Sequence, residues 1–137
     1  MKRFSTGLQW VFEKVDRAII LEDDCIPDKS FFSFATEMLE RYKNDSSVGM
    51  IQGWSLFTRL PLRKDFYFSA RPKVWGWATW RRVVQDFDVK IPFWRDIDQK
   101  QLLKSKGFSF WEIPGVRNRI GAAERIGTWD YQWVAYL

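Results

Sequence analysis

The sequence predicts an α/β fold, with a mostly parallel sheet flanked by helices, and three observations support this prediction. Helical and strand-like apolar patterns alternate over residues 5–53. The short run at residues 18–21, Ala-Ile-Ile-Leu, is apolar throughout, which is typical of a strand buried on both faces of a parallel sheet. A chain of 137 residues has the length of a single domain.

The first four elements follow in order. Residues 5–15 carry apolar side chains at helical spacing, and residues 17–21 form the first predicted strand. Residues 31–42 carry a second helical stripe, which Asp28 or Ser30 can cap. Residues 48–53 are predicted to form a second buried strand. This helix-strand-helix-strand order predicts a parallel pair of strands.

The rest of the chain is less regular. Four further elements are predicted: an edge or antiparallel strand at 66–69, a helix at 81–87, a polar helix at 96–106 ended by Gly107, and a helix at 128–137 capped by Thr128. Residues 108–127 show no clear period, so no element is predicted there. The last helix has no C-terminal cap, which suggests that the chain is cut rather than finished.

The amino-acid composition limits the kinds of catalytic and metal site that this chain can contain. The chain has no histidine, which excludes a Ser-His-Asp triad and a histidine-based zinc site within it. Cys25 is the only cysteine, so a reducing, cytoplasmic location is expected, with peripheral membrane contact left open. No apolar run is long enough for a transmembrane helix. Acid–base and metal chemistry must therefore depend on Asp and Glu.

The residues that follow the first strand carry the strongest chemical signal. Glu22, Asp23 and Asp24 come directly after it, and ligands of parallel sheets lie beyond the carboxyl ends of the strands. Several carboxylates at one strand end suit Mg²⁺ or Mn²⁺, which are held by a few carboxylates together with substrate phosphates. A solvated acidic turn is the alternative.

The net charge of +5 and the pI of about 9.5 favour an anionic partner. The basic residues are densest at Arg81-Arg82 and over residues 117–125, and Arg59, Arg63 and Lys64 are available to an anion in a predicted loop. Ordinary solvated surfaces would explain the same distribution.

Three blocks resemble, in the same order, the central part of GT-A glycosyltransferases, closest to the branch of N-acetylglucosaminyltransferase I and related bacterial sugar transferases. The first is LEDDCIPDKSFFSFATEMLERYKNDSSVGMIQGW, which begins at Leu21. The second is Tyr67-Phe68-Ser69 with the WGWATW segment at residues 75–80, and the third is the Trp-Asp-x-x-Trp segment that begins at Trp129. The resemblance implies a partial GT-A, Rossmann-like fold.

The resemblance also implies a role for each matching residue. Asp24 would ligate Mn²⁺ or Mg²⁺, and Glu22 and Asp23 would hold metal-bound water or the ribose of the nucleotide. Asp130 would be the general base that takes a proton from the acceptor hydroxyl, with inversion at the anomeric carbon. Three tryptophans would line the sugar site: Trp77, Trp80 and Trp129. The partners implied are a nucleotide-diphosphate sugar and a saccharide or other hydroxyl acceptor.

Simpler roles remain open for some of these residues. Trp77 and Trp80 could pack one face of a helix in the core, and Asp130 could serve only as a helix N-terminal residue favoured by the helix dipole. Complete members of the family have a nucleotide-binding half before the acidic strand and further chain after the last segment. Residues 1–137 are therefore expected to form one incomplete catalytic domain with weak donor binding and little transfer.

Two other functions compete with sugar transfer. A self-associating, non-catalytic fragment would pair its exposed strand edges in a homo-oligomer. A nucleic-acid-binding module would interleave basic and aromatic residues along one surface. Because the tryptophans cluster with Gly, Ala and Thr, and the strand end is acidic, no nucleic-acid partner is expected.

Overall fold

The computed structural model describes residues 2–55 and 65–137. Within these ranges the α-helices are Lys2–Lys14 (α1), Lys29–Arg41 (α2), Arg81–Val84 (α3), Gln99–Ser105 (α4), Ile113–Ile126 (α5) and Asp130–Tyr136 (α6). A 3-10 helix spans Pro92–Arg95, and the strands are Arg17–Ile20 (β1), Ile51–Gln52 (β2) and Trp77–Trp80 (β3). No helix among the described residues combines the length and the apolar character that a membrane span requires.

The predicted mostly parallel sheet is wrong, and so is the GT-A, Rossmann-like core that the resemblance implied. The three strands have the order β1-β3-β2, and β3 pairs antiparallel with both neighbours. The two strands predicted as a parallel pair do run in the same direction, but β3 lies between them. The described part of the chain is rich in helix around this small antiparallel sheet.

The sequence of β3 explains why it occupies the centre. All four of its residues are buried, with Trp77 and Thr79 on one face and Ala78 and Trp80 on the other. The Thr79 hydroxyl donates to the carbonyl oxygen of Gly49 at 2.7 Å, so the polar group of this buried side chain is satisfied. A strand covered on both faces and paired at both edges is well suited to the centre of the sheet.

The predicted helices are largely confirmed, whereas several boundaries and one strand are not. Asp28 is the N-cap of α2, and its carboxylate accepts from the backbone N–H of Ser30. Strand β2 is only two residues long, and residues 66–69 form no strand. Helix α5 occupies a region where none was predicted.

Aromatic side chains form the main core beneath the sheet. Trp133 on α6 is fully buried, and its ring centroid lies 5.0 Å from that of Trp77 and 4.8 Å from that of Phe87. Its indole N–H donates to the sulfur of Met50 at 3.4 Å. A second, smaller core lies around Trp94 and Leu103, between α4 and α5. The main core therefore fixes α6, and with it Asp130, against the sheet.

Arg82 ties the end of α2 to α3. Its guanidinium donates to four backbone carbonyl oxygens in the connection after α2, those of Tyr42, Lys43, Asp45 and Val48. The same group lies 4.5 Å from the centroid of the Trp80 ring. In the sequence Arg81 and Arg82 stood out only as a basic cluster, whereas in the structure Arg82 holds the backbone of this connection in place.

Candidate functional site

The acidic residues lie in a turn that begins just after β1. The backbone N–H of Cys25 donates to the carbonyl oxygen of Glu22 at 3.1 Å, which closes the turn. Through this turn Glu22, Asp24 and Cys25 each offer one ligand atom, and these three atoms lie within 4.8 Å of one another. Asp23 is exposed and is not part of this group. Two of the three predicted carboxylates thus point to a common position.

Asp130 contributes to the electrostatics of the same region. The pKa of Glu22 is raised from its ordinary value of 4.5, first because the carboxyl is partly desolvated and then because Asp24, Asp130 and Asp23 repel its negative charge. Asp130, on α6, is thus among the charges that act on Glu22, although more than a hundred residues separate the two in the sequence. Repulsion of this kind is relieved when a cation binds.

Asp130 is the first residue of α6 and is half-buried. Thr128 was predicted to cap this helix, but the N-cap residue is Trp129, and the Thr128 hydroxyl donates instead to Oδ1 of Asp130. Asp130 also lines a cleft of about 590 Å³, whose walls include Trp75, Tyr131 and Arg119. The carboxylate thus belongs to the wall of a cleft large enough for a ligand.

The chemistry of the donor set separates two kinds of metal. The carboxylate oxygens of Glu22 and Asp24 are hard ligands, which fit Mg²⁺ or Mn²⁺, and these ions complete their coordination with water and phosphate oxygens. The sulfur of Cys25 is a soft ligand, which suits Zn²⁺ better. A hard cation would therefore use the two carboxylates without the thiol.

The tryptophans predicted to line the sugar site lie mostly in the core. Trp77 is 0% exposed and Trp80 is 4% exposed, and the Trp80 indole donates to the carbonyl oxygen of Leu39 at 3.0 Å. Trp129 lies between Phe4 and Trp77, with ring centroids 3.5 Å and 6.0 Å away. Sugar contact by these three residues stays a prediction, and their packing on strand and core counts against it.

Trp75 is an aromatic residue in a better position, and it was not singled out from the sequence. It is 50% exposed and lines the cleft that contains Asp130. It also lines a second cleft, of about 690 Å³, together with Cys25 and Asp28. The signal was Gly76, whose φ of +69° turns the chain before β3 and so separates Trp75 from the buried strand.

Not every residue that was predicted to meet a ligand lies within the described part of the chain. Arg59, Arg63 and Lys64, which were predicted to be available to an anion, lie outside the described residues. Lys73 is within them, and its ammonium group lies 5.8 Å from the ring centroid of Trp54 and 5.9 Å from that of Trp75. Lys73 thus places a positive charge next to aromatic residues of both clefts, and no sequence motif indicated this position.

The chain matches no family model, and neither a curated protein nor a solved structure matches it.

Proposed function

We propose that the chain carries the metal and donor site of a sugar transferase, which moves a sugar from a nucleotide-diphosphate donor to an acceptor hydroxyl with inversion. The observation that supports this best is that ligand atoms of Glu22 and Asp24 lie within 4.8 Å of each other, while the charge of Asp130, from a distant part of the sequence, acts on Glu22. The corrected fold gives no support of its own. The order of the three sequence blocks supports the proposal independently of the fold.

In this proposal Glu22 and Asp24 hold Mn²⁺ or Mg²⁺ at the end of β1. An ion bound there would supply positive charge that offsets the negative charge of the donor phosphates. Partial desolvation, and then repulsion by the neighbouring carboxylates, raise the pKa of Glu22, and the positive charge of a bound cation would lower it. The two side chains thus favour a ligand that brings a cation with it.

Asp130 is the proposed general base, which accepts the proton of the acceptor hydroxyl as its oxygen attacks the anomeric carbon. The chain has no histidine, so a carboxylate is the natural group for this task. Thr128 donates to Oδ1, which fixes the orientation of the carboxylate toward the cleft that it lines. Trp75 offers its exposed ring to a sugar in that cleft.

The first test is a calorimetric titration of Mn²⁺ with UDP, and then with other nucleoside diphosphates, into the wild type, Asp24→Asn and Asp86→Asn. Asp24→Asn keeps the shape of the side chain and removes its charge, and we expect it to abolish metal-dependent binding. Asp86 is exposed and lies away from the acidic turn, so Asp86→Asn loses the same charge and should bind as the wild type does. Equal binding by all three proteins would contradict the proposed metal site.

A second test separates the base from the metal site. Asp130→Asn should retain binding of Mn²⁺ with the nucleoside diphosphate and reduce kcat for transfer by about 10²- to 10⁴-fold, which is the usual contribution of a general base. Donor hydrolysis or transfer would be followed by release of the nucleoside diphosphate. Unchanged kcat in Asp130→Asn would eliminate Asp130 as the base while leaving the metal site intact.

A further inference from the structure

A wider cleft shares, among the described lining residues, only Arg119 with the cleft that contains Asp130, and its other lining residues have no place in the proposed reaction. It lies between residues 89–95 on one side and α5 on the other, and its volume is about 1250 Å³. Five cationic side chains line it: Lys90, Arg95, Arg117, Arg119 and Arg125. Four of these are arginines, whose planar guanidinium groups suit phosphate and other oxyanions.

Among the side chains that the structure describes, none neutralises the positive charge of this cleft from within. No described side chain that lines the cleft carries a carboxylate. The ion pairs formed by the described residues involve none of its five cations. Like charges that share a concave surface add their fields and attract anions of high charge. The cleft therefore concentrates a large part of the chain's net charge of +5 in one place.

The arginines of α5 are arranged for contact with one ligand. Arg117 and Arg125 are eight residues apart with Gly121 midway, so all three lie on one side of the helix. Nothing lies within 4 Å of the position that a Cβ atom of Gly121 would take, so the surface between the arginines is open. Gln99 accepts from Nε of Arg117 at 2.9 Å and donates to the carbonyl oxygen of Trp94, which holds this guanidinium in place.

The lining also shows what the cleft does not recognise. The only aromatic residue among the described ones that line it is Trp94, which is 7% exposed, so the described lining offers no ring on which a nucleobase could stack. Its volume exceeds the range of about 300–1,000 Å³ that is typical of small-molecule sites. We propose that this cleft binds an extended polyanion that carries several phosphate or comparable oxyanion groups, through charge and guanidinium hydrogen bonds.

The proposal is tested by titrating inorganic tripolyphosphate into the purified protein at low salt. Arg117→Gln with Arg125→Gln removes two charges from the cleft and should weaken binding by about tenfold. Lys14→Gln with Lys29→Gln removes two charges from exposed positions on other helices and should change the affinity less than twofold. Equal losses in both double variants would show that only the net charge matters and would overturn the proposal.

Gly121 provides a test that leaves every arginine in place. Gly121→Glu puts a carboxylate between Arg117 and Arg125 in open space, and we expect it to weaken tripolyphosphate binding about as much as the double arginine variant. Gly121→Ala fills the same position without a charge and should bind as the wild type does, with slightly higher thermal stability. Undiminished binding by Gly121→Glu would contradict the proposed location.

A third titration tests whether nucleobases contribute to binding in this cleft. A thymidine oligonucleotide and a polyphosphate chain of equal charge should bind with similar affinity, and both should weaken as salt screens the arginines. A large preference for the oligonucleotide that persists at high salt would overturn recognition by charge and would indicate a nucleic-acid site. Binding that survives in the double arginine variant would move the polyanion elsewhere.

Discussion

Replacing Arg82 by methionine should cost about 2–3 kcal/mol of folding free energy. Methionine keeps much of the side chain that lies over Trp80 but removes every guanidinium donor. Two of the four hydrogen bonds, to the carbonyl oxygens of Tyr42 and Val48, are partly buried. Each partly buried bond contributes about 1–1.5 kcal/mol. The bonds to Lys43 and Asp45 are exposed, and water replaces them at little cost.

The neighbouring arginine provides a matched control. Arg81 forms an ion pair with Asp16 at 3.1 Å, with 43% of the Arg81 side chain and 89% of the Asp16 side chain exposed. Exposed pairs of this kind contribute less than about 1 kcal/mol. Arg81→Met removes the same charge and adds the same side chain as Arg82→Met, so the difference between the variants reports the partly buried carbonyl contacts of Arg82 and its contact with Trp80, less the exposed contacts of Arg81.

Urea denaturation followed by far-ultraviolet circular dichroism measures both variants. We expect Arg82→Met to shift the unfolding midpoint well below that of Arg81→Met without a change in the slope of the transition. Arg82→Lys should fall between them, because an ammonium group reaches fewer of the four carbonyl oxygens. The reasoning fails if Arg82→Met is no less stable than Arg81→Met.

Three further predictions follow from single contacts. Gly53→Ala would place a Cβ atom 2.6 Å from Cδ2 of the buried Phe31 ring and should destabilise the fold by about 1–3 kcal/mol. The control is Gly7→Ala, whose Cβ atom meets nothing within 4 Å and which should stabilise the fold. Similar unfolding midpoints of the two variants in urea would refute the clash at Gly53. Hydrogen bonds from Ser109 and then the ion pair with Arg71 lower the pKa of Glu112 to about 2, so the stability that this carboxylate contributes is present above its ordinary pKa of 4.5 and disappears as the pH falls toward 2. The difference in Tm between wild type and Glu112→Gln should therefore close as the pH falls from 4.5 toward 2. A difference in Tm that stays constant over this range would contradict the prediction. Burial lowers the pKa of Lys106, so its charge destabilises the fold at neutral pH, and Lys106→Met should raise Tm; a lower Tm would mean that the ammonium group has a stabilising contact.

The local elements could be predicted because their signals lie within a few residues. The apolar stripe of α1, the β-branched run of β1 and the Asp28 cap of α2 all follow from neighbours in the sequence, and the structure confirms them. Helix α5 also had such a signal, since Ile113, Val116, Ile120 and Ala123 lie at helical spacing. Pro114, Gly115 and Gly121 have low helix propensity and obscured it.

The sheet could not be predicted in the same way. Which strand lies beside β1 is decided by contacts between distant residues, and β3 inserts between β1 and β2 some sixty residues after the first of them. The alternation of small residues with tryptophan in β3 indicated close packing but not its partners. For the same reason burial of Trp77 and Trp80 could not be distinguished from a ligand wall.

The candidate site, too, could be predicted only where its signals are local in the sequence. The acidic turn was predictable, because carboxylates directly after a strand are visible in the sequence. The link between this turn and Asp130, in contrast, came only from the resemblance to glycosyltransferases. Trp75, Lys73 and the thiol of Cys25 near the carboxylates were found only in three dimensions. Their positions depend on the turn at Gly76, which is marked in the sequence only by the glycine itself, and on the loop after Glu22, which carries no distinctive motif.

The packing of Trp77 against two other indoles has an optical consequence. The ring centroid of Trp77 lies 5.0 Å from that of Trp133 and 6.0 Å from that of Trp129, so the electronic transitions of these rings are coupled as excitons. Such coupling produces a pair of bands of opposite sign in the circular dichroism spectrum of the indoles. Because Trp129 directly precedes Asp130, a ligand that displaced this carboxylate would also change the band intensities. The protein therefore contains an intrinsic, label-free spectroscopic reporter beside its candidate site.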